Sequence, residues 1–165
     1  MSTPAWCNTP QLQFGWTKPW LVPLRGSEAR RFKKRLWRHG YLSPNFTRAE
    51  AASKDGKPIP RRLRQPAQRQ AFHMERVRHL CGDQSILVNS WYRSWNHNQA
   101  VGGASRSQHL NARACDVFDQ TIFRIGEQRW NDACMRVFKR GGIGFAYGTR
   151  VRHVDSRRGP AHWFY

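Results

Sequence analysis

The segment "SQHLNARACDV", residues 107–117, determines the fold and the chemistry that this chain can have. It places His109 seven positions before Asp116, and "ARACDVF" at 112–118 has the alternation of small or apolar residues that is typical of a strand. A second strand candidate, "RVRHVDS" at 150–156, contains His153 and Asp155. The question is whether these polar side chains, in apolar settings, meet at one site.

Two imidazoles and a carboxylate suit a catalytic zinc ion, which takes three protein ligands and keeps one position open. A loop could deliver His109 to the strand of Asp116, with His153 on a neighbouring strand. The alternative is an ordinary surface histidine and an aspartate in a turn. Spacing alone leaves both interpretations open.

The rest of the chain predicts helices and short strands around this pair. Periodic apolar positions predict three helices: one that Ser27 caps and Gly40 ends, one from Gln65 to Cys81, and one around Trp130–Phe138. A capping box at Thr47 and Glu50 predicts a further short helix. Further strands are predicted at 85–92 and in a hairpin formed by "IGFAY" and "RVRHVDS", while 93–110 is predicted as a long loop. We therefore predict the α+β class, with helices flanking a small antiparallel sheet that carries the site.

The length and the cysteine pattern indicate how the chain is organised. A chain of 165 residues has room for one core, which we assign to residues 41–165. Residues 1–40 are predicted to form a basic, Pro- and Trp-rich arm and a helix that pack on this domain. The four cysteines, at 7, 81, 115 and 134, form no C-x-x-C pair, so buried free thiols are expected rather than a zinc finger or a disulfide framework.

The charge of the chain selects the class of partner. Lys and Arg number 29 against 10 acids, a formal charge of +19, which attracts nucleic acid, anionic membranes or the anionic polymers of a bacterial wall. Eight Trp that could stack on bases keep a nucleic-acid-binding module open. The sequence has no apolar run of transmembrane length and no Sec-type signal at its N-terminus, so we expect it in a cytoplasm unless a particle carries it out.

Several motifs, in one order, resemble the zinc D-alanyl-D-alanine carboxypeptidases and their relatives, which include phage L-alanyl-D-glutamate endopeptidases. The family pattern S-x-H-x-x-G-x-A-x-D is matched through Ser107, His109, Ala114 and Asp116, with Ala112 in place of the glycine, and a late histidine follows. "SWYRSWNHNQAVGG" at 90–103 and "FTRAE" at 46–50 also match. The resemblance runs from about residue 41 to the C-terminus.

This resemblance implies a hedgehog-like metal-site fold, with zinc bound by His109, Asp116 and His153. It implies that Arg93 faces the terminal carboxylate of the substrate, for which a guanidinium fork is suited, or else forms a structural ion pair. Ser107 could bond a substrate carbonyl or face water.

The general base departs from the family pattern. Many relatives have an acid three residues before the last histidine, where this chain has Arg150, which cannot accept a proton. Residues two apart in a strand point to one face, so Asp155 is predicted as the base. Its alternative role is to orient His153. His162 is the reserve candidate.

The resemblance implies a hydrolase of peptidoglycan stem peptides, acting as a carboxypeptidase or an endopeptidase. A small cationic enzyme of this kind resembles a bacteriophage endolysin that waits in the host cytoplasm, or a lysin carried in the virion on the phage tail. Bacterial peptidoglycan and anionic wall polymers are the expected partners. Two alternatives remain: a catalytically inactive wall-binding or virion structural protein, which Arg150 favours, and a nucleic-acid-binding protein.

Overall fold

A computed structural model describes residues 26–165, so the predicted N-terminal arm lies outside the described residues except for Gly26. The described helices are α1 (Ser27–Arg38), α2 (Arg64–Leu80), α3 (Trp95–Ala100), α4 (Asp119–Ile125) and α5 (Glu127–Val137), with 3-10 turns at Arg61–Leu63 and Gln108–Asn111. The described strands are β1 (Tyr41–Ser43), β2 (Phe46–Thr47), β3 (Val88–Ser90), β4 (Ala114–Val117), β5 (Gly142–Ala146), β6 (Arg150–Asp155) and β7 (Ala161–Phe164). None of these helices is long and apolar enough to cross a membrane.

The first helix buries the face that its sequence predicts. Its four buried residues are Ala29, Phe32, Leu36 and Trp37. The prediction that Ser27 caps this helix is wrong, because Ser27 is its first residue and Gly26 precedes it with φ 106°. No side chain caps the helix, and a backbone in this left-handed region favours glycine.

The core lies between the helices and one face of the larger sheet. The second and fifth helices contribute apolar residues at helical spacing, and the sheet contributes Cys115, Ile143 and Val154. Cys81, Cys115 and Cys134 are buried free thiols, as predicted. Cys7 lies outside the described residues.

The larger sheet confirms the α+β class and differs from the prediction at one edge. Its strand order is β3-β4-β6-β5-β7. The pairs from β3 to β5 are antiparallel, as predicted, but β7 runs parallel to β5. The chain after β6 therefore crosses to the far edge of β5 instead of turning back beside β6.

Three local predictions differ from the structure. Thr47 and Glu50 exchange the bonds of a capping box, but turns follow them instead of a helix. The strand predicted at 85–92 is limited to β3. The loop predicted at 93–110 contains α3, which Ser94 caps by accepting a hydrogen bond from the backbone N–H of His97 at 3.1 Å.

We expect Glu75→Ala to destabilise the fold by about 3 kcal/mol, because the buried Glu75 carboxylate ties β1 and its turn to α2. It accepts hydrogen bonds from Ser43 Oγ at 2.7 Å and from the Asn45 backbone N–H at 2.9 Å, and these donors would lose their acceptor. Urea unfolding measures the change. Glu50→Ala, at an exposed cap, is the control and should cost about 1 kcal/mol. Equal losses in the two variants would contradict this interpretation.

Candidate metal centre

A row of paired residues across the larger sheet places two of the predicted ligands side by side. Asp116 on β4 is paired with His153 on β6, which is paired with Gly144 on β5, and Gly144 is paired with Trp163 on β7. Paired residues of neighbouring strands lie on the same face of a sheet. The adjacent row contains the core residues Cys115, Val154 and Ile143, so the face with Asp116 and His153 is turned away from the core.

The third predicted ligand, His109, comes from the 3-10 turn before β4. Ser107 caps this turn, and its hydroxyl accepts a hydrogen bond from the His109 backbone N–H at 3.3 Å. The turn ends at Ala112 with φ 53°, in the left-handed region, which explains why the family pattern has glycine there. Trp91 supports the turn from the core, because its indole N–H donates to the Ala112 carbonyl at 3.2 Å.

The structure brings His109, Asp116 and His153 together with separations that suit zinc. Their ligand atoms lie within 4.8 Å of one another. His109 Nε2 is 3.3 Å from His153 Nδ1 and 3.2 Å from Asp116 Oδ1. Zinc ligands at ~2.1 Å in a tetrahedron stand about 3.4 Å apart. The third separation, His153 Nδ1 to Asp116 Oδ1, is a hydrogen-bond distance of 2.7 Å and would have to lengthen slightly.

Hydrogen bonds behind both histidines select the ring nitrogen that faces the site. His109 Nδ1 lies 2.6 Å from the Trp91 carbonyl oxygen, which can only accept, so Nδ1 carries the proton and Nε2 is free to bind a metal. Burial lowers the pKa of His109, which favours this neutral form. His153 Nε2 lies 3.1 Å from Asp155 Oδ2, which leaves Nδ1 directed at Asp116.

The charges at the centre favour an ionised Asp116. Burial alone would raise its pKa, but hydrogen bonds to His109 and His153 hold the pKa of Asp116 well below its usual range. Burial opposes charge on His153, yet its contacts with the carboxylates of Asp116 and Asp155 raise its pKa. The centre therefore presents a carboxylate between two imidazoles, the donor set of a three-ligand zinc site.

Asp155 shares the face of His153, as predicted, but lies behind it. Its side chain is fully buried, and Arg157 holds it through Nε to Oδ1 at 2.8 Å and Nη2 to Oδ2 at 2.6 Å. Gly142 makes room for this pair, since a Cβ there would lie 2.2 Å from Asp155 Oδ2. Because Asp155 meets the ring nitrogen opposite the one that faces the other ligands, its position favours orienting His153 over acting as the base.

Arg93 lies at the edge of the centre and contacts one of its ligands. Its Nη2 donates to Asp116 Oδ2 at 2.6 Å, and its Nε donates to Ser90 Oγ at 3.0 Å. Its backbone N–H donates to the His109 carbonyl at 3.2 Å. Arg93 therefore forms the structural ion pair that the sequence left open. Its side chain is 19% exposed, so it can also be reached from solvent.

Three other predicted positions lie away from the ligand atoms or are engaged otherwise. The Ser107 hydroxyl holds the turn of His109, as described above. His162 is paired with Ile143 in the core-facing row, so it leaves β7 on the opposite face from His153. Arg150, at the position of the family base, pairs with Glu127 at 3.1 Å.

An aromatic wall, formed by Trp163 and Tyr165, was not predicted from the sequence. The ring of Trp163 lies 5.0 Å from that of His153, and a Cβ on Gly144 would lie 2.9 Å from both aromatic rings of the wall. Burial and then the charge of Asp116 raise the pKa of Tyr165 to about 12, so its hydroxyl stays a hydrogen-bond donor. The wall borders one side of the centre, and Gly144 is the residue that lets it approach.

Comparisons with known proteins agree with this geometry. The family profile described as Peptidase M15 matches residues 43–155, a segment that contains all three ligand candidates. The chain is also similar to the zinc D-Ala-D-Ala carboxypeptidase of Streptomyces albus G, with 37% identity over 88 residues. This similarity covers 52% of the present chain and 34% of that protein, so the chain matches about a third of the relative's length.

Proposed function

The chain belongs to the peptidase M15 family, and on that basis we propose that it is a zinc-dependent peptidase that hydrolyses the stem peptides of bacterial peptidoglycan. The observation that carries the proposal is the convergence of two ring nitrogens and a carboxylate oxygen at separations that suit zinc. The similarity to a zinc D-Ala-D-Ala carboxypeptidase supports the substrate class.

The metal ligands and the groups behind them have different roles in the proposed reaction. Zinc, when bound by His109, Asp116 and His153, supplies the Lewis acidity that activates water and polarises the peptide carbonyl. The Trp91 carbonyl and Asp155 keep the two imidazoles turned toward the site. Such contacts behind the ligands fix ring orientation and raise ligand basicity.

Arg93 is proposed to act on both the ligand and the substrate. Its bond to Asp116 Oδ2 leaves Oδ1 directed at the histidines. Its exposed edge can meet a substrate carboxylate, for which a planar guanidinium is better suited than an ammonium. The aromatic wall borders the same side of the sheet as His153 and can limit access of water to the peptide.

Mass analysis of wall fragments tests the function and the bond that is cut. Purified peptidoglycan is digested with the full chain, with and without a zinc chelator, and the muropeptides are compared. Loss of a terminal alanine would indicate a carboxypeptidase, and divided stem peptides would indicate an endopeptidase. Muropeptides that the zinc-loaded protein leaves unchanged would contradict the proposal.

Arg93→Lys should lower kcat/KM by about tenfold or more although the charge is kept, because an ammonium cannot replace both the Asp116 and the Ser90 contacts of the fork. Steady-state kinetics on a soluble stem peptide measure the change. Arg136→Lys, at an exposed position of α5, is the matched control and should leave the kinetics unchanged. An Arg93→Lys enzyme with native kinetics would remove Arg93 from the proposed mechanism.

A second candidate function is a wall-binding relative without catalysis. The observation that favours it is Arg150, which occupies the family's base position and pairs with Glu127. The digest described above separates the two, because such a protein would bind the wall and release no fragment.

We further propose that the chain is a bacteriophage lysin, either a free endolysin or a component of the virion. Its charge of +19 supports this role, because it favours retention on an anionic wall. Expression inside a bacterium, with and without a membrane pore, tests it. Lysis that depends on the pore is expected for a free endolysin, whereas cells that stay intact in both cases would contradict that role.

A further inference from the structure

A groove of about 760 Å³ between α1 and α2 is lined by cations. The six cationic residues that line it are Arg30, Arg31, Lys33, Lys34, Arg64 and Arg69. The remaining described lining residues are Ser27, Gln65 and Gln68, so no acid is among the described residues that line this groove. The two helices are tied together there by a hydrogen bond from Gln68 Nε2 to the Lys33 carbonyl at 2.6 Å.

A second groove, of about 500 Å³, adjoins the first because Arg69 lines both. Its other cationic residues are Lys139, Arg140, Arg157 and Arg158, and again no acid is among its described lining residues. We call the two grooves together the cationic surface. The first groove lies on the side of the helices, which pack on the face of the sheet opposite the metal ligands. In the second groove, Arg157 also pairs with Asp155 and lies over the ring of Trp163.

Several acids of the described chain pair with arginines, although Glu28 lies in the first turn of α1. Near the metal centre, Asp116, Asp119, Glu127 and Asp155 pair with arginines. Within residues 26–165, no acid forms an ion pair with Arg30, Arg31 or Arg69. On the cationic surface, Arg157 is paired with Asp155, whereas Arg30, Arg31 and Arg69 have no acid partner among residues 26–165.

Burial and neighbouring cations lower the pKa of two side chains here. Burial and then Arg76 and Arg69 lower the pKa of Lys33 to about 8. The same causes, together with Lys33, lower the pKa of His73 to about 4, so its ring is neutral at pH 7. His73 lines the second groove, and its Nδ1 is buried without a hydrogen-bond partner among the described residues.

We infer that the cationic surface binds a phosphate-bearing polymer of the bacterial wall, an inference that rests on the proposed function. A linear polyanion matches two adjoining grooves whose described lining residues include ten cations and no acid. Binding on the helical side holds the enzyme on the wall while the metal face stays open to a stem peptide. Because this attraction is electrostatic, retention on the wall should weaken as the salt concentration rises.

The test compares two triple variants of equal net charge. Arg30→Gln/Arg31→Gln/Arg69→Gln removes three exposed cations of the surface, and Arg38→Gln/Arg62→Gln/Arg136→Gln removes three exposed cations that line neither groove. Binding is measured with full-length protein and a chelator on walls that carry phosphate polymers, and on the same walls stripped of them with hydrofluoric acid. The surface variant should bind the phosphate-bearing walls about 100-fold more weakly, with a shallower dependence on salt. The control should change less than about threefold.

Cleavage of a soluble stem peptide separates this inference from the proposed function, since both triple variants should retain native turnover. Equal binding losses in the two variants, or binding that survives removal of the phosphate polymers, would overturn the inference. Tighter binding to single-stranded DNA than to inorganic polyphosphate of equal charge would also overturn it, by identifying the surface as a nucleic-acid site. Absence of cleavage with intact, surface-dependent binding would instead refute the catalytic proposal alone.

Discussion

His153→Ala is expected to lose its zinc and, with it, peptide cleavage. His153 offers Nδ1 at 3.3 Å from His109 Nε2 and 2.7 Å from Asp116 Oδ1, and its removal leaves two protein ligands. Zinc binds structural protein sites with an apparent free energy of ~10–16 kcal/mol, and removing one ligand of three should remove about a third of it, or about 4 kcal/mol. Zinc affinity should therefore fall by roughly 10³-fold, and turnover should reach background.

His162→Ala is the matched control for this variant. It removes an exposed imidazole from β7, on the opposite face of the same sheet. Metal analysis after dialysis and turnover on a soluble stem peptide should show native values for His162→Ala. Full zinc content in His153→Ala would refute the ligand assignment, and loss of zinc in both variants would indicate damage to the sheet rather than to the site.

Asp155→Asn is expected to weaken zinc binding by about 10–100-fold and to recover activity when zinc is in excess. The asparagine oxygen can still accept from His153 Nε2, but the amide loses the ion pair in which Arg157 Nη2 lies 2.6 Å from Asp155 Oδ2. His153 is then held less firmly, and its Nδ1 becomes a poorer ligand. Zinc titration followed by both metal content and turnover measures the two effects together.

The same titration decides whether Asp155 orients His153 or transfers a proton in the reaction. A general base contributes roughly 10²–10⁴-fold to the rate, and excess zinc cannot replace it. If Asp155→Asn holds zinc at native affinity and remains slow when saturated, Asp155 is the base that its strand position first predicted. Asp132→Asn, at an exposed site on α5, serves as the control and should change neither quantity.

That Asp116 and His153 share one face of the sheet could be predicted, because this depends on strand periodicity, whereas the ligand set itself, with His109 from a 3-10 turn, was implied by the resemblance. Asp116 and His153 each lie within an alternating segment, and the register that buries Cys115 and Val154 necessarily places both polar side chains on the other face. Helix spacing similarly predicted the buried face of α1. In these cases one periodic pattern determines both which side chains are buried and on which face of the strand or helix the others lie.

What the sequence could not show depends on backbone groups and on side-chain direction. The Trp91 carbonyl that orients His109 has no signature in residue type. Asp155 lies on the predicted face, but the pattern could not tell which ring nitrogen of His153 it meets. The edge strand β7 runs parallel to β5, so its partner depends on a crossover that local periodicity does not encode.

Zinc titration of the metal-free full chain, with turnover on a soluble stem peptide followed at each step, tests the central claim most directly. If His109, Asp116 and His153 form the catalytic zinc site, activity should rise in proportion to bound metal and reach its plateau at one zinc per chain. Full turnover before zinc is added would contradict this assignment. A chain that binds one zinc and cleaves no stem peptide would also contradict it.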